Sequence, residues 1–374
     1  AARLRTFVPL LPLLYCGMRR SARIHQARGL EQLIELDVIA PYCKLHCHVV
    51  PLLCPASGGS SSLPPFDAPA PRVRMAAFSP ARSRMTSTPI HPSGRTAAFD
   101  EATIASLLEH ADDVIRSALR SGALQPIRTE QCWLDDGALR FSVRWVSSLA
   151  LKDRARVDTV IRRKPDFNPF LPPEPALTVA ALGDAHVVVL NKFPVIDRHL
   201  LIVTRHFEDQ HNPLTQADFD ALAAVIAAHG GLGFYNGGRT AGASQAHKHL
   251  QWVPETAATL EAFLPPQLPP TGVQAFANPA LPWAHAFVGL ARGARADTRP
   301  DGATLAAAFR TACAALDLPC VANPMPPYNL LVTREALLLV PRMHEKWQDV
   351  SVNSLGYAGS LFVRDREQIE RLRA

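Results

Sequence analysis

His247, His249 and Gln251 recur at alternate positions in the run Gly242-Ala-Ser244-Gln245-Ala-His247-Lys-His249-Leu-Gln251. On a strand, side chains alternate between faces, so these three project together at intervals of about 7 Å. Lys248, Leu250 and Trp252 take the other face. A polar row of this kind packs poorly in a core but suits a line of contacts to a polyphosphate. The preceding stretch carries Gly230, Gly231, Gly233, Gly237, Gly238 and Gly242. Without a Cβ, backbone N–H groups there can approach phosphate oxygens closely. Ser244 and Gln245 add neutral donors.

A neutral imidazole attacks phosphorus well, and the phosphoramidate formed is labile enough to pass a nucleotidyl group onward. One ring nitrogen must then be unprotonated, and the other needs an acceptor, commonly a backbone carbonyl. Gln251 is informative because an amide does not titrate. It can hold a non-bridging oxygen without activating water, which leans the chemistry towards transfer over hydrolysis. Taken alone, His-x-His-x-Gln also fits two ordinary strand histidines or a metal pair at i and i+2. The glycine loop and Ser244 favour the nucleophile.

The elements that must position this row are readable from periodicity. Ile104, Leu107, Leu108, Ala111, Val114, Ile115 and Leu119 recur at helical spacing, with Gly122 following as a C′ residue. Phe141, Val143 and Trp145 alternate as a strand. Residues 164–175 are too rich in proline for regular structure and form an extended connector. Leu177–Leu182, His186–Leu190 and His199–Val203 read as strands, and Leu214–Ala228 as an amphipathic helix. Leu232–Tyr235 and His247–Val253 read as two strands joined by the glycine-bearing loop. Proline-rich Leu264–Pro270 marks a boundary. Beyond it the pattern predicts a strand near Ala284–Val288, a helix over Gly302–Leu316, and a hairpin of Tyr328–Thr333 with Ala336–Val340. This order, with short antiparallel connections, predicts an α+β fold rather than a doubly wound parallel sheet.

Composition narrows the function classes. The chain has 374 residues, 48% of them apolar, and a net charge of +6. Residues 1–84 hold eleven basic against four acidic side chains, leaving 28 basic and 29 acidic in 85–374. The basic excess therefore belongs to the leader, and a nucleic-acid footprint on the main body loses its support. The leader itself is Pro- and Arg-rich, with one candidate helix around Leu30–Ile39. It reads as a transit peptide or, in the favoured reading, as disordered sequence upstream of a natural start at Met85. Its Cys43, His46, Cys47, His48 and Cys54 have zinc-capable side chains at spacings that match no standard finger, so no metal site is assigned. No run approaches the roughly 18 apolar residues of a spanning helix. Cys132, Cys313 and Cys320 are too scattered for a disulfide framework, and the expectation is a reduced, cytoplasmic protein.

The Gly-Ala-Ser-Gln-Ala-His-Lys-His-Leu-Gln run resembles the histidine-triad motif of the diadenosine tetraphosphate phosphorylases, also called ATP adenylyltransferases. Asn168-Pro-Phe-Leu-Pro-Pro, Leu190-Asn-Lys-Phe-Pro-Val, His199-Leu-Leu-Ile-Val-Thr and Phe207-Glu-Asp-Gln210 match in order. So do Tyr328-Asn-Leu-Leu-Val-Thr, Val340-Pro-Arg342 and Ser351-Val-Asn353-Ser-Leu-Gly356. The resemblance spans about residues 95–370 and departs from the pattern at Ala246, where relatives often have proline. It implies a histidine-triad-like antiparallel catalytic domain over 85–263 and a smaller α/β C-terminal domain over 264–374. It further implies reversible phosphorolysis of diadenosine tetraphosphate to ATP and ADP. By position, His249 would carry the adenylyl group, Gln251 would hold the α-phosphate, and His247, Ser244 and Gln245 would orient the phosphate chain. Asn191, Lys192, Gly242, Gln210 and Arg342 are the further expected substrate contacts. Arg342, His344 and Lys346 read either as an exposed basic turn or as a contribution to the second nucleotide.

A divalent cation, Mg²⁺ by expectation, would neutralise the polyphosphate without a dedicated protein cage. The implied partners are small molecules (the dinucleotide, phosphate, ATP and ADP), with no nucleic acid and no membrane, and an open oligomeric state. The alternatives are a hexose-1-phosphate uridylyltransferase-like enzyme, a dinucleoside polyphosphate hydrolase, which Gln251 disfavours, and a non-catalytic binding module.

Overall fold

The computed structural model describes residues 21–24, 34–37, 99–146, 167–255, 260–265, 274–290 and 299–373. The first two strands stand by themselves: β1 (Ser21–Ile24) pairs antiparallel with β2 (Ile34–Asp37), Ser21 opposite Asp37. The expected helix at Leu30–Ile39 is thus corrected at its centre, where Ile34-Glu-Leu-Asp37 alternates with the period of a strand. The candidate zinc cluster at 43–54 and Met85 lie outside the described residues.

The other unit contains everything from Thr96 onward. Asp100 opens it as an N-cap, its carboxylate accepting from the N–H groups of Ala102 and Thr103 at 3.3 Å each. Helix α1 (Glu101–Ala105) gives way to α2 (Leu107–Ser121) at Ser106, whose hydroxyl donates back to the Ala102 carbonyl at 2.9 Å. That competing bond divides the single helix expected from periodicity. Gly122 ends α2 in the left-handed region at φ +74°, as its position predicted. Strands β3 (Thr129–Asp136) and β4 (Leu139–Val146) then form a hairpin; β3, with its mixed polar sequence, carried no legible signal.

The centre is a nine-stranded, wholly antiparallel sheet. Its early strands are β5 (Thr178–Leu182), β6 (His186–Leu190), β7 (Leu200–Thr204), β8 (Leu232–Gly237) and β9 (His249–Val253). Its later strands are β10 (Ala275–Phe276), β11 (Ala286–Gly289), β12 (Tyr328–Val332) and β13 (Ala336–Pro341). The spatial order is β10-β11-β13-β12-β8-β9-β7-β6-β5. β12 runs along β8 from Tyr328 opposite Gly237 to Val332 opposite Gly233, so the boundary expected at 263/264 separates strands of one sheet. A second link crosses it: β14 (Ser360–Val363) lies parallel to β4. The expected α+β class and the β12–β13 hairpin describe this architecture.

One face of the sheet is covered by α2, α3 (Gln216–His229) and α4 (Gly302–Ala315), with the Phe219 and Phe309 rings 5.3 Å apart between the last two. Trp252 is buried on this side and donates to the Gly230 carbonyl at 2.8 Å. A Cβ on Gly231 would stand 2.6 Å from the Val253 carbonyl oxygen, so the chain can pass there only as glycine. The opposite face is divided. Phe170 packs on Val187, Val189, Leu201 and Val203, while Phe234, Leu331, Leu338 and their neighbours build a separate cluster beneath β14 and α5 (Arg366–Arg373). His249 and Gln251 lie between the two. No helix among the described residues is long and apolar enough to cross a membrane.

Candidate active site

β9 is flanked by β7 on one side and β8 on the other, with Val203 opposite His249 and Leu201 opposite Gln251. His249 is only 3% exposed, and its Nδ1 lies 2.8 Å from the His247 carbonyl oxygen. A carbonyl can only accept, so Nδ1 carries the proton and Nε2 keeps its lone pair. That nitrogen bonds no group among the described residues. Burial pushes the ring's pKa down to about 4, which holds it neutral at physiological pH.

His247 sits just ahead of β9, in an isolated bridge to Asp209. The Phe170 N–H donates to Asn168 Oδ1 at 2.9 Å, which fixes the Asn168 amide. Its Nδ2 therefore donates to His247 Nδ1, also at 2.9 Å. The proton of His247 is left on Nε2, which donates to the Thr204 carbonyl at 2.8 Å. The Phe170 ring stands 5.6 Å from the His247 ring and 5.4 Å from that of His249. The proline-rich segment expected as a connector is thus also a strap that sets the tautomer of His247.

Gln251 is oriented in the same manner. The Phe193 N–H donates to Asn191 Oδ1 at 3.2 Å, so Asn191 Nδ2 donates to His199 Nδ1 at 3.1 Å. His199 then carries its proton on Nε2 and donates to Gln251 Oε1 at 2.9 Å. Gln251 Nε2 bonds nothing among the described residues. His199, like His249, is pushed by burial to a pKa of about 4. Asn191 and His199 also form one wall of a cavity of about 210 Å³ that Ile115, Leu119, Leu124 and Leu190 line with apolar carbon.

The remaining expected contacts divide. Ser244 is exposed and Gln245 half-buried, both in the loop before His247. Lys192 lies at the rim, paired to Glu174 at 2.7 Å. Gly242 has φ +91°, and a Cβ there would lie 2.7 Å from that of Asn353, so its glycine admits the C-terminal segment against the loop.

Two expectations are corrected. Gln210 is buried, with Oε1 accepting the His249 N–H at 2.9 Å and Nε2 donating to the Asn236 carbonyl at 2.9 Å. Its amide splices β8 to β9 where their backbones separate, and it leaves no donor for phosphate. Arg342 is also buried; its guanidinium is taken by Asn329 Oδ1 and the carbonyls of Val352, His344 and Glu345. A cation so enclosed holds the C-terminal segment rather than a nucleotide, whereas His344 and Lys346 beside it are not buried.

Three residues join the site that sequence reasoning did not single out: Asn168, His199 and Asn236. Asn236 extends β8 beside His249, and its Oδ1 accepts from Asn329 Nδ2 and from Ser354. Its Nδ2 donates to nothing among the described residues. For His199 a signal existed: it alternates with Leu201 and Val203, which places it on the face of the histidine row.

The chain is similar to known proteins over most of its length. Residues 99–268 match the family model of the Ap4A phosphorylase N-terminal domain, and 279–374 that of the ATP adenylyltransferase C-terminal domain. Diadenosine 5′,5′′′-P1,P4-tetraphosphate phosphorylase 2 of Saccharomyces cerevisiae is 29% identical over 302 residues, covering 71% of this chain and 90% of the relative. Protein APA1 of the same yeast is 27% identical over 300 residues, covering 72% and 90%. The crystal structure of yeast Ap4A phosphorylase Apa2 in complex with Ap4A superposes with a TM-score of 0.55 at 28% identity, covering 71% of this chain and 92% of that one. With both domains matched in order around this histidine row, the chain belongs to the Ap4A phosphorylase (ATP adenylyltransferase) family.

Proposed function

We propose that this protein catalyses the reversible phosphorolysis of diadenosine tetraphosphate to ATP and ADP through an adenylyl group carried on His249. The observation that carries the reading is the bond from His249 Nδ1 to the His247 carbonyl, which leaves a neutral, unprotonated Nε2 beside a free amide donor. The relatives' activity supports the substrate. The α-phosphorus of one adenosine half sits over His249. Nε2 attacks it; the N–P bond forms, the bridging P–O bond breaks, and ATP departs with the electron pair. Inorganic phosphate then attacks the same phosphorus, the N–P bond breaks, and ADP leaves. Two inversions retain configuration.

The remaining groups position or stabilise. Gln251 Nε2 and Asn236 Nδ2 donate to the α-phosphate as its charge moves. His247, Ser244 and Gln245 orient the rest of the chain, and Lys192 meets it at the rim. The described residues contain no group of three or more His, Cys, Asp or Glu side chains able to hold a metal ion. Mg²⁺ enters this reading as the polyphosphate's counter-ion, and no step is assigned to it. The free thiols Cys132, Cys313 and Cys320 suit a reducing cytoplasm.

The test is incubation with adenine-labelled dinucleotide in the absence of phosphate. An acid-labile, base-stable protein adduct is expected, and added phosphate should release it as ADP. An adduct that survives His249→Ala contradicts the nucleophile; ATP release that continues beyond one equivalent per site without phosphate contradicts the transfer.

A further inference from the structure

We infer that His199 is a positioning residue which locks the Gln251 amide with its nitrogen towards the reacting phosphate. The inference rests on the adenylyl-transfer reading above and adds a component that the His-x-His-x-Gln motif does not contain. The two ends of a glutamine amide are nearly isosteric, so packing alone does not distinguish them. The wrong end would set a carbonyl oxygen against phosphate oxygens, turning a stabilising contact into a repulsive one. Something polar must choose, and the choice here is made in a chain of three bonds. The backbone N–H of Phe193 fixes Asn191 Oδ1, Asn191 Nδ2 then fixes the tautomer of His199, and His199 Nε2–H claims Gln251 Oε1. Each step follows from the last, because a backbone N–H can only donate.

An ordinary core histidine does not explain the arrangement. Pairing between β6 and β7 uses backbone groups, among them the Asn191 N–H to the His199 carbonyl at 3.0 Å, and none needs the imidazole. Both ring nitrogens are instead spent on side-chain amides, one at the cavity wall and one in the motif. The ring packs 5.8 Å from that of Phe234, which holds its plane. His199 touches the reacting atoms only through Gln251, so its loss should cost transition-state stabilisation rather than binding.

The test uses the full chain and two readouts: exchange of labelled inorganic phosphate into ADP, which needs only the adenylyl half-reaction, and ¹⁵N NMR of histidine-labelled protein. Wild type should show His199 protonated on Nε2. His199→Phe should lower kcat for exchange roughly ten- to a hundredfold, with little change in KM. In a Gln251→Ala background the same change should cost almost nothing further, because the group it orients is already gone. His199→Gln, which keeps a donor, should recover part of the rate. Multiplying effects in the double variant, a defect confined to KM, or a His199 protonated on Nδ1 would each overturn the assignment. Where His199→Phe fails to fold, the wild-type tautomer and His199→Gln decide. Absence of exchange in the wild type strikes the adenylyl-histidine reading instead, and the tautomer still judges the relay.

Discussion

Ser354 donates twice to a single atom of Asn236: its N–H reaches Oδ1 at 2.9 Å and its hydroxyl at 2.7 Å, across 118 residues of sequence. Asn329 Nδ2 is the third donor to that oxygen, at 2.8 Å. An amide oxygen so fully claimed cannot exchange places with its nitrogen, so the C-terminal segment dictates which end of Asn236 is left for a ligand. The face that carries His249 and Gln251 is thus completed from beyond the expected boundary at 263/264.

Ser354→Ala should therefore weaken both structure and turnover. The one hydroxyl proton lies between Asn236 Oδ1 and the Tyr235 carbonyl, 3.0 Å away, and its loss leaves buried polar groups short of a partner. A destabilisation of about 1–2 kcal/mol is expected in urea denaturation, with kcat reduced and KM little changed. A wild-type kcat in the variant would show that Asn236 does not need this clamp.

Two buried imidazoles impose a pH dependence. His199 and His249 both fall from 6.5 to about 4 on folding, burial being the first cause in each. As pH drops through 6.5 the unfolded chain takes up these protons, and the folded chain does so only near 4. Stability is therefore intact above 6.5 and declines between the two values, by on the order of 3 kcal/mol per ring once pH 4 is reached. Melting temperature followed from pH 7 downward should fall over that window. Adenylylation should stay flat from neutrality to about pH 5, since the nucleophile is already unprotonated. A rate limb centred at the ordinary histidine pKa would contradict a buried His249.

Gln210→Leu separates a splice from a phosphate ligand. The amide serves the His249 N–H and the Asn236 carbonyl, and leucine would leave both buried and unpaired. A loss of about 2–4 kcal/mol is expected in chemical denaturation, against little change in KM for phosphate measured on folded protein. A variant of normal stability with a raised phosphate KM would restore the ligand role.

The strands β4–β9 and β11–β13, helix α2 and the Gly122 terminus were legible because each is an apolar run, repeats an apolar period or ends on a residue the backbone requires, whereas α3, expected to be amphipathic, is buried on most sides. The row His247, His249 and Gln251 was legible through alternation. Less visible was anything whose role depends on a partner distant in sequence. Gln210 and Arg342 look like ligands by residue type, and only the divergence of β8 from β9 and the return of the C-terminal segment show that their polar atoms are spent. Asn168 lies 79 residues from His247, and His199 lies 52 from Gln251, so no local pattern could pair them. The mixed polar strand β3 was hidden because only Leu134 of its eight residues is buried, so no apolar face repeats.

Gln251→His tests why this site favours phosphate over water. In the present arrangement the amide at 251 accepts from His199 Nε2 and can only donate onward, so a water near the adenylyl group finds no base there. An imidazole at 251, unlike an amide, can present an unprotonated nitrogen and take a proton from water, at the cost of the bond from His199. The adenylyl intermediate should then divide between two acceptors, giving AMP with water and ADP with phosphate. At limiting phosphate the AMP:ADP product ratio is expected to rise at least several-fold. An unchanged ratio would mean that water is kept out by closure of the cleft, and that the amide governs only the charge on the α-phosphate.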